Sequence, residues 1–124
     1  MTQEGGIQTA IIYYLESTGW LVLRFNNIGM YDPTKKLYRK NVNIPGISDI
    51  IALKGGTFLC VEVKKPSEMT GVGKIESGLK QPKSKRDWRF WHQNEFIKNV
   101  RNHGGIGFFA DSVDMVREKL TPVK

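Results

Sequence analysis

The chain is short of cysteine, histidine and acidic residues, and each shortage excludes something. Cys60 is the only cysteine among 124 residues. It can close no intramolecular disulfide, and no Cys/His spacing resembles a zinc site. A reducing, cytoplasmic setting is therefore expected. His92 and His103 are the only histidines, and no histidine-based nuclease motif surrounds either. Both read as surface or helix-end residues. No run of about 18 apolar residues occurs, so no transmembrane helix and no membrane partner are expected. The opening residues, Met1 to Gly6, show no basic segment leading into an apolar one, so they do not read as a secretory signal.

Twelve acids stand against 19 lysines and arginines, a formal charge of +7 with an isoelectric point near 9.6. Such a balance favours an anionic partner, nucleic acid first. The basic residues are clustered. Lys35, Lys36, Arg39 and Lys40 form one group, and Lys74, Lys80, Lys83, Lys85, Arg86 and Arg89 a second, with few acids between them. Clustering of this kind suits a surface facing phosphates. For any one of these side chains, a merely solvated charge is nearly as good a reading.

Apolar periodicity predicts the elements. Ile7, Ile11, Ile12 and Leu15 mark an amphipathic helix over 7–18, stopped at Gly19. A strand is expected over 20–26, then a loop or short irregular hairpin over 27–46 in which Leu37-Tyr38-Arg39 can be extended. Residues 48–54 and 57–64 read as two strands joined by Gly55-Gly56, a strong two-residue hairpin signal. Residues 67–84, rich in Gly, Ser, Lys and Pro, read as an exposed, basic, mobile loop. A helix over 85–103 is expected to bury Trp88, Trp91, Phe96 and Val100. Strand 106–110 and a last helix capped by Asp111 or Ser112 complete the chain. The whole reads as one α/β domain, residues 1–124, with a small mixed β-sheet flanked by helices in the order α-β-β-β-α-β-α.

Charges interrupt the hairpin. Asp49 opens the first strand, and Glu62 and Lys64 sit inside the second. Asp49 lies seven residues before Gly56 and Glu62 seven after Gly55, which sets the two acids near one level, away from the turn. Alternation of side chains gives Glu62 and Lys64 one face, and Asp49 shares it if the register holds. Two neighbouring carboxylates repel unless a cation lies between them. Oxygen ligands with open positions suit Mg²⁺ or Mn²⁺, with the Val63 carbonyl as a further donor. Lys64 would orient or deprotonate a water, or neutralise transition-state charge. An ordinary surface hairpin with solvated charges or an ion pair is the bland reading of so short a pattern.

These residues resemble the VRR-NUC family of the PD-(D/E)XK nuclease superfamily. Gly46-Ile47-Ser48-Asp49 is similar to that family's G-x-P-D step, with serine in place of proline, and Glu62-Val63-Lys64 to its E-x-K. Glu4, with Gln8 one turn later, matches the glutamate of the family's first helix, and Gln93 matches a glutamine of the helix after E-x-K, with Gln81 as a weaker rival. Outside the resemblance, Glu4 reads equally well as an acid favoured by the helix macrodipole, and Glu16 reads as a solvated rival. The stretch from Lys64 to Gln93 is longer than the family pattern, so 67–84 resembles an insertion.

The resemblance implies a restriction-endonuclease-like core and a metal-dependent deoxyribonuclease. It implies Glu4 holding a metal-bound water or second ion, and Gln93 positioning Lys64 or the scissile phosphate. It further implies a homodimer cutting branched DNA such as four-way junctions, in phage or bacterial cytoplasm. Two other readings stand beside it: a non-catalytic nucleic-acid-binding module, and a sequence-selective restriction-type endonuclease. Lys65, beside the site, can touch the cut strand or simply be exposed. Trp88 and Trp91 read as core or interface residues ahead of base stacking.

Overall fold

A computed structural model describes residues 2–24, 30–32, 37–39 and 48–121. Lys35, Lys36, Lys40 and the Gly46-Ile47 part of the acid motif lie outside these residues, as does the side chain of Arg39. Within them the chain is a mixed α/β fold.

Helix α1 spans Gln3–Ser17. Thr2 caps it, its hydroxyl accepting the Gly5 amide at 3.0 Å. The helix therefore starts a turn earlier than the apolar pattern indicates, and this early start places Glu4 in its first turn. Ile11 and Leu15, four apart, face inward. Strand β1 (Leu21–Arg24) follows, then the short antiparallel pair β2 (Met30–Asp32) and β3 (Leu37–Arg39). Strands β4 (Ile50–Lys54) and β5 (Thr57–Val63) form the hairpin. Gly55 and Gly56 both take positive φ, 56° and 81°. Only a turn of that hand matches the twist of two strands joined by two residues, and only glycine adopts it without strain.

After a 3-10 turn at Pro66–Glu68 come helix α2 (Met69–Glu76), helix α3 (Lys85–Asn102), strand β6 (Ile106–Ala110) and helix α4 (Val113–Leu120). Ser84 caps α3 and Ser112 caps α4. The main sheet has the order β1-β4-β5-β6. Its first three strands are antiparallel neighbours, and β6 runs parallel to β5. A parallel neighbour requires a crossover, which α2 and α3 supply.

The sheet buries both faces. Helices α1 and α4 cover one through Ile11, Leu15 and Val116 against Ile50, Ala52, Leu59, Val61, Val63, Phe108 and Ala110. Helices α2 and α3 cover the other through Val72, Ile75, Phe90 and Ile97 against Ile51, Cys60 and Phe109. Central strand β5 is covered on both sides, so it reads in sequence as a nearly continuous apolar run.

Two expectations are corrected. Residues 67–84 are not a structureless loop: α2 occupies their first half and sends Val72 and Ile75 into the core. Gly71 and Gly73 each weaken a helix by about 1 kcal/mol relative to alanine, which hides it from a propensity reading. Burial of one apolar edge overrides that weakness, and Gly71 lets α3 come close. A Cβ there would stand 3.1 Å from the Arg86 guanidinium and 3.5 Å from the Phe90 ring. The second correction concerns the rotation of α3. Trp88 is 47% exposed and Trp91, Phe96 and Val100 are half-buried, while Asp87, Phe90, Gln93, Asn94 and Ile97 face inward. Among the described residues no helix is long and apolar enough to cross a membrane.

Candidate active site

In the hairpin register Ile50 stands opposite Val61. One further step sets Asp49 opposite Glu62, as the equal spacing from the glycine turn requires. The Asp49 carboxylate accepts the Val63 amide at 3.1 Å, which clamps the strand ends together. A strand residue sends its N–H and C=O to the same side, so the Val63 carbonyl opens toward Asp49 as well. On the next residue the Lys64 amide donates to the Ala110 carbonyl at 2.9 Å, fixing the end of β5 against β6.

Glu62 and Lys64 point into the face covered by α3 and are only 2% and 3% exposed. There the Gln93 side-chain amide donates to Glu62 Oε1 at 2.8 Å. Lys64 Nζ lies 3.8 Å from that same oxygen and 4.7 Å over the Phe90 ring. Thus Glu62 Oε1 has two cationic or N–H partners, while the buried Glu62 Oε2 and Gln93 Oε1 have none. A buried oxygen without a partner is costly. The cost is reflected in titration. Burial, and then the negative Asp49 beside it, push the Glu62 carboxyl well above its ordinary range, with Lys64 pulling the other way.

Glu4 enters from α1. Burial raises its pKa first, followed by the Asp49 and Glu68 carboxylates, against Lys64 and Arg89. The first turn of α1 thus meets the strand ends. Glu4, Gln8 and Lys65 help line a cleft of about 540 Å³. Among the described residues, however, no three His, Cys, Asp or Glu side chains form a group that could hold a metal ion by themselves. The donors at the strand ends are two carboxylates, one of them with a free buried oxygen, and a backbone carbonyl. This oxygen-only set fits a hard divalent ion completed by water, with Glu4 outside the innermost group.

The glutamine matched by resemblance, Gln93, is therefore in the site, but its contact is with Glu62 rather than Lys64. Its rival Gln81 is exposed. Glu16 is exposed, and His103 caps the end of α3, its Nδ1 2.7 Å from the Asn99 carbonyl oxygen. Several basic residues expected to face phosphate have partners within the chain. Lys80 lies 3.1 Å from Asp87 and Arg86 3.6 Å from it, and Arg89 lies 3.6 Å from Glu68. The Lys83 amide also donates to Asp87, and the side chains of Lys83 and Lys85 are both exposed. These contacts turn the basic stretch before α3 into a strap held on one buried carboxylate.

Two residues were missed. Glu68 accepts the Lys65 amide at 3.2 Å and helps set the charge around Glu4. The only trace of it in sequence is an acid three residues after Lys65, at the start of a turn. Phe90 carries Lys64 on its ring, with Arg86 and Arg89 at 5.3 and 5.5 Å. Once Gln93 is assigned inward, helical spacing places Phe90 on that face. No protein-family model matches the chain, and no curated protein sequence does.

Proposed function

We propose that the protein is a divalent-metal-dependent DNA endonuclease. The observation that carries this reading is the burial of an acid and a lysine at the end of a hairpin, facing a second acid and a positioned glutamine. Structural ion pairs are seldom arranged so: the pair is long at 3.8 Å, one acid oxygen lacks a partner, and the second acid adds repulsion. A site that pays in stability is expected where function requires it. The resemblance to VRR-NUC nucleases supports the same assignment, including Mg²⁺ or Mn²⁺, branched DNA and a homodimer in which each subunit cuts one strand.

In this reading Asp49, Glu62 and the Val63 carbonyl hold the ion. When bound, it polarises a phosphoryl oxygen and makes a coordinated water more acidic. Asp49 uses its other oxygen on the Val63 amide and so keeps the two strand ends at fixed separation. Gln93 fixes the rotamer of Glu62. Lys64 holds its ammonium at the rim of Glu62, where it orients a water or meets charge growing on the phosphate. Glu4 faces the cleft and holds an outer water.

Incubating wild-type protein with duplex, flap and four-way-junction DNA in Mg²⁺, Mn²⁺ or EDTA tests the reading. Cleavage is expected with either ion and not with EDTA. Asp49→Ala and Lys64→Ala should each lower the rate about 100- to 10,000-fold while DNA binding persists. DNA left intact by wild-type protein under every condition would refute the assignment.

A further inference from the structure

The outward side of α3 carries aromatic rings that neither core absorbs. Trp88 and His92 are four residues apart and share one exposed stripe. Trp91, half-buried against the α2–α3 core, meets both edge-on, with ring centroids 5.7 Å from Trp88 and 5.2 Å from His92. Trp88 and His92 themselves are 6.3 Å apart and tilted by 39°. One anchored ring thus steadies two exposed ones. Trp88, 47% exposed, packs in neither hydrophobic cluster.

The surroundings say what such rings would meet. Lys85 and Arg89 lie on the same two turns, Arg89 3.6 Å from Glu68, and Glu95 at the far end of the stripe is held by Lys98 at 3.4 Å, so the stripe is cationic on its N-terminal flank. Gln93, which holds Glu62, follows Trp88 by five residues, about 7.5 Å along the helix axis and about 140° around it, so it faces inward while Trp88 faces out. The stripe and the candidate cleavage site therefore sit on one rigid helix. Aromatic faces beside cationic side chains match a nucleic-acid strand whose bases are free of partners: the rings stack on the base, the cations meet the phosphates, and every base has a π-face to offer. Paired bases hide those faces within the stack.

We propose that Trp88 and His92 form a stacking platform for an unpaired nucleobase of the DNA strand that enters the Asp49–Glu62–Lys64 site. The role of that strand rests on the nuclease reading, but the platform does not depend on cleavage. It supplies a basis for preferring DNA with unpaired positions, such as branch points and flaps, over continuous duplex.

Fluorescence anisotropy in EDTA, where the proposed nuclease does not cut, tests the platform with labelled oligothymidylate and a blunt duplex. Trp88→Ala should weaken single-strand binding about tenfold, leave duplex binding within about twofold, and Trp88→Phe should restore most of the loss, because a smaller ring still stacks. His92→Ala should act in the same direction and less strongly. If Trp88→Ala does not fold, Trp88→Leu against Trp88→Phe reads the same contrast between an apolar and an aromatic side chain. Equal losses on both DNAs, or unchanged single-strand binding, would overturn the proposal. So would sedimentation showing that the substitutions dissolve a dimer while single-strand affinity per subunit is unchanged, which would make the stripe a contact between copies. Since binding is read without metal, a failed platform and a failed nuclease assignment are separate results.

Discussion

Strand β5 presents two different proteins to its two sides. Leu59, Val61 and Val63 turn toward α1 and α4 and find an apolar, fully buried layer. Cys60, Glu62 and Lys64 turn toward α2 and α3, where the layer begins apolar at Cys60 and becomes ionic within two residues. Backbone, strand and register are common to both faces. What differs is the covering helix: α3 contributes Gln93, Asn94 and Asp87 to its buried side, whereas α1 contributes Ile11 and Leu15. The first face stabilises the fold, and the second spends part of that stability on holding charge out of water.

Breaking the apolar face should give the largest effect on stability and the least on chemistry. Leu59→Ala removes a fully buried side chain from the middle of that layer and is expected to cost about 2–5 kcal/mol. Denaturant unfolding measures it. The cleavage rate per folded molecule should stay near wild type, since Leu59 points away from Glu62. A selective loss of rate in a still-folded Leu59→Ala protein would show that the faces are not independent.

The polar face should answer in the opposite way. Gln93→Ala removes the one hydrogen bond that fixes Glu62, which costs about 1–3 kcal/mol for the acceptor left buried, offset in part because an unsatisfied buried oxygen goes with it. Partners that orient a ligand typically matter by about 10- to 100-fold in metal affinity or activity. Titrating Mn²⁺ against cleavage should show the required concentration rising by that factor. An unchanged metal requirement would remove Gln93 from the site's machinery and leave it a packing residue.

The contrast between the faces also explains how much could be read beforehand. The Gly55-Gly56 turn and the equal spacing of Asp49 and Glu62 fix the register, and alternation then puts Lys64 beside Glu62. That geometry is local, and the hairpin bears it out. Helix α3 defeated the reading because its buried side is partly polar: Asp87 and Gln93 turn inward while Trp88 turns outward, the reverse of what hydrophobicity indicates. Asp87 is drawn in by Lys80, the Lys83 amide and the Ser84 cap, contacts that exist only once the preceding strap has folded back. Helix α2 was hidden by its glycines, and Glu4 fell outside the apolar pattern because the helix begins at a threonine cap before its first inward residue.

The finest test of the two-faced sheet is the pH dependence of metal-free stability. Glu62 is held above its ordinary range by burial and by Asp49, so between the unfolded value, about 4.3, and the raised folded value the native state binds more protons than the unfolded one. Stability must then fall as pH rises through that window. Asp87 works the other way: its hydrogen bond to Lys80 leads the causes that lower its pKa, so its contribution is present above about 3.9 and lost as pH falls through the lower folded value. The two windows do not overlap, and each can be read alone from thermal midpoints taken across acid and neutral pH. Glu62→Gln should remove most of the upper slope, leaving the part due to Glu4, whose carboxyl is also raised by burial and by Asp49, and should leave the acid limb intact. Asp87→Asn should remove the acid limb and leave the upper slope. Saturating Mg²⁺ or Mn²⁺ should also flatten the upper slope of the wild-type protein, because a bound cation favours the ionised carboxylate. An upper slope left undiminished by both Glu62→Gln and added metal would place the proton uptake elsewhere and remove the electrostatic argument for Glu62 as a ligand.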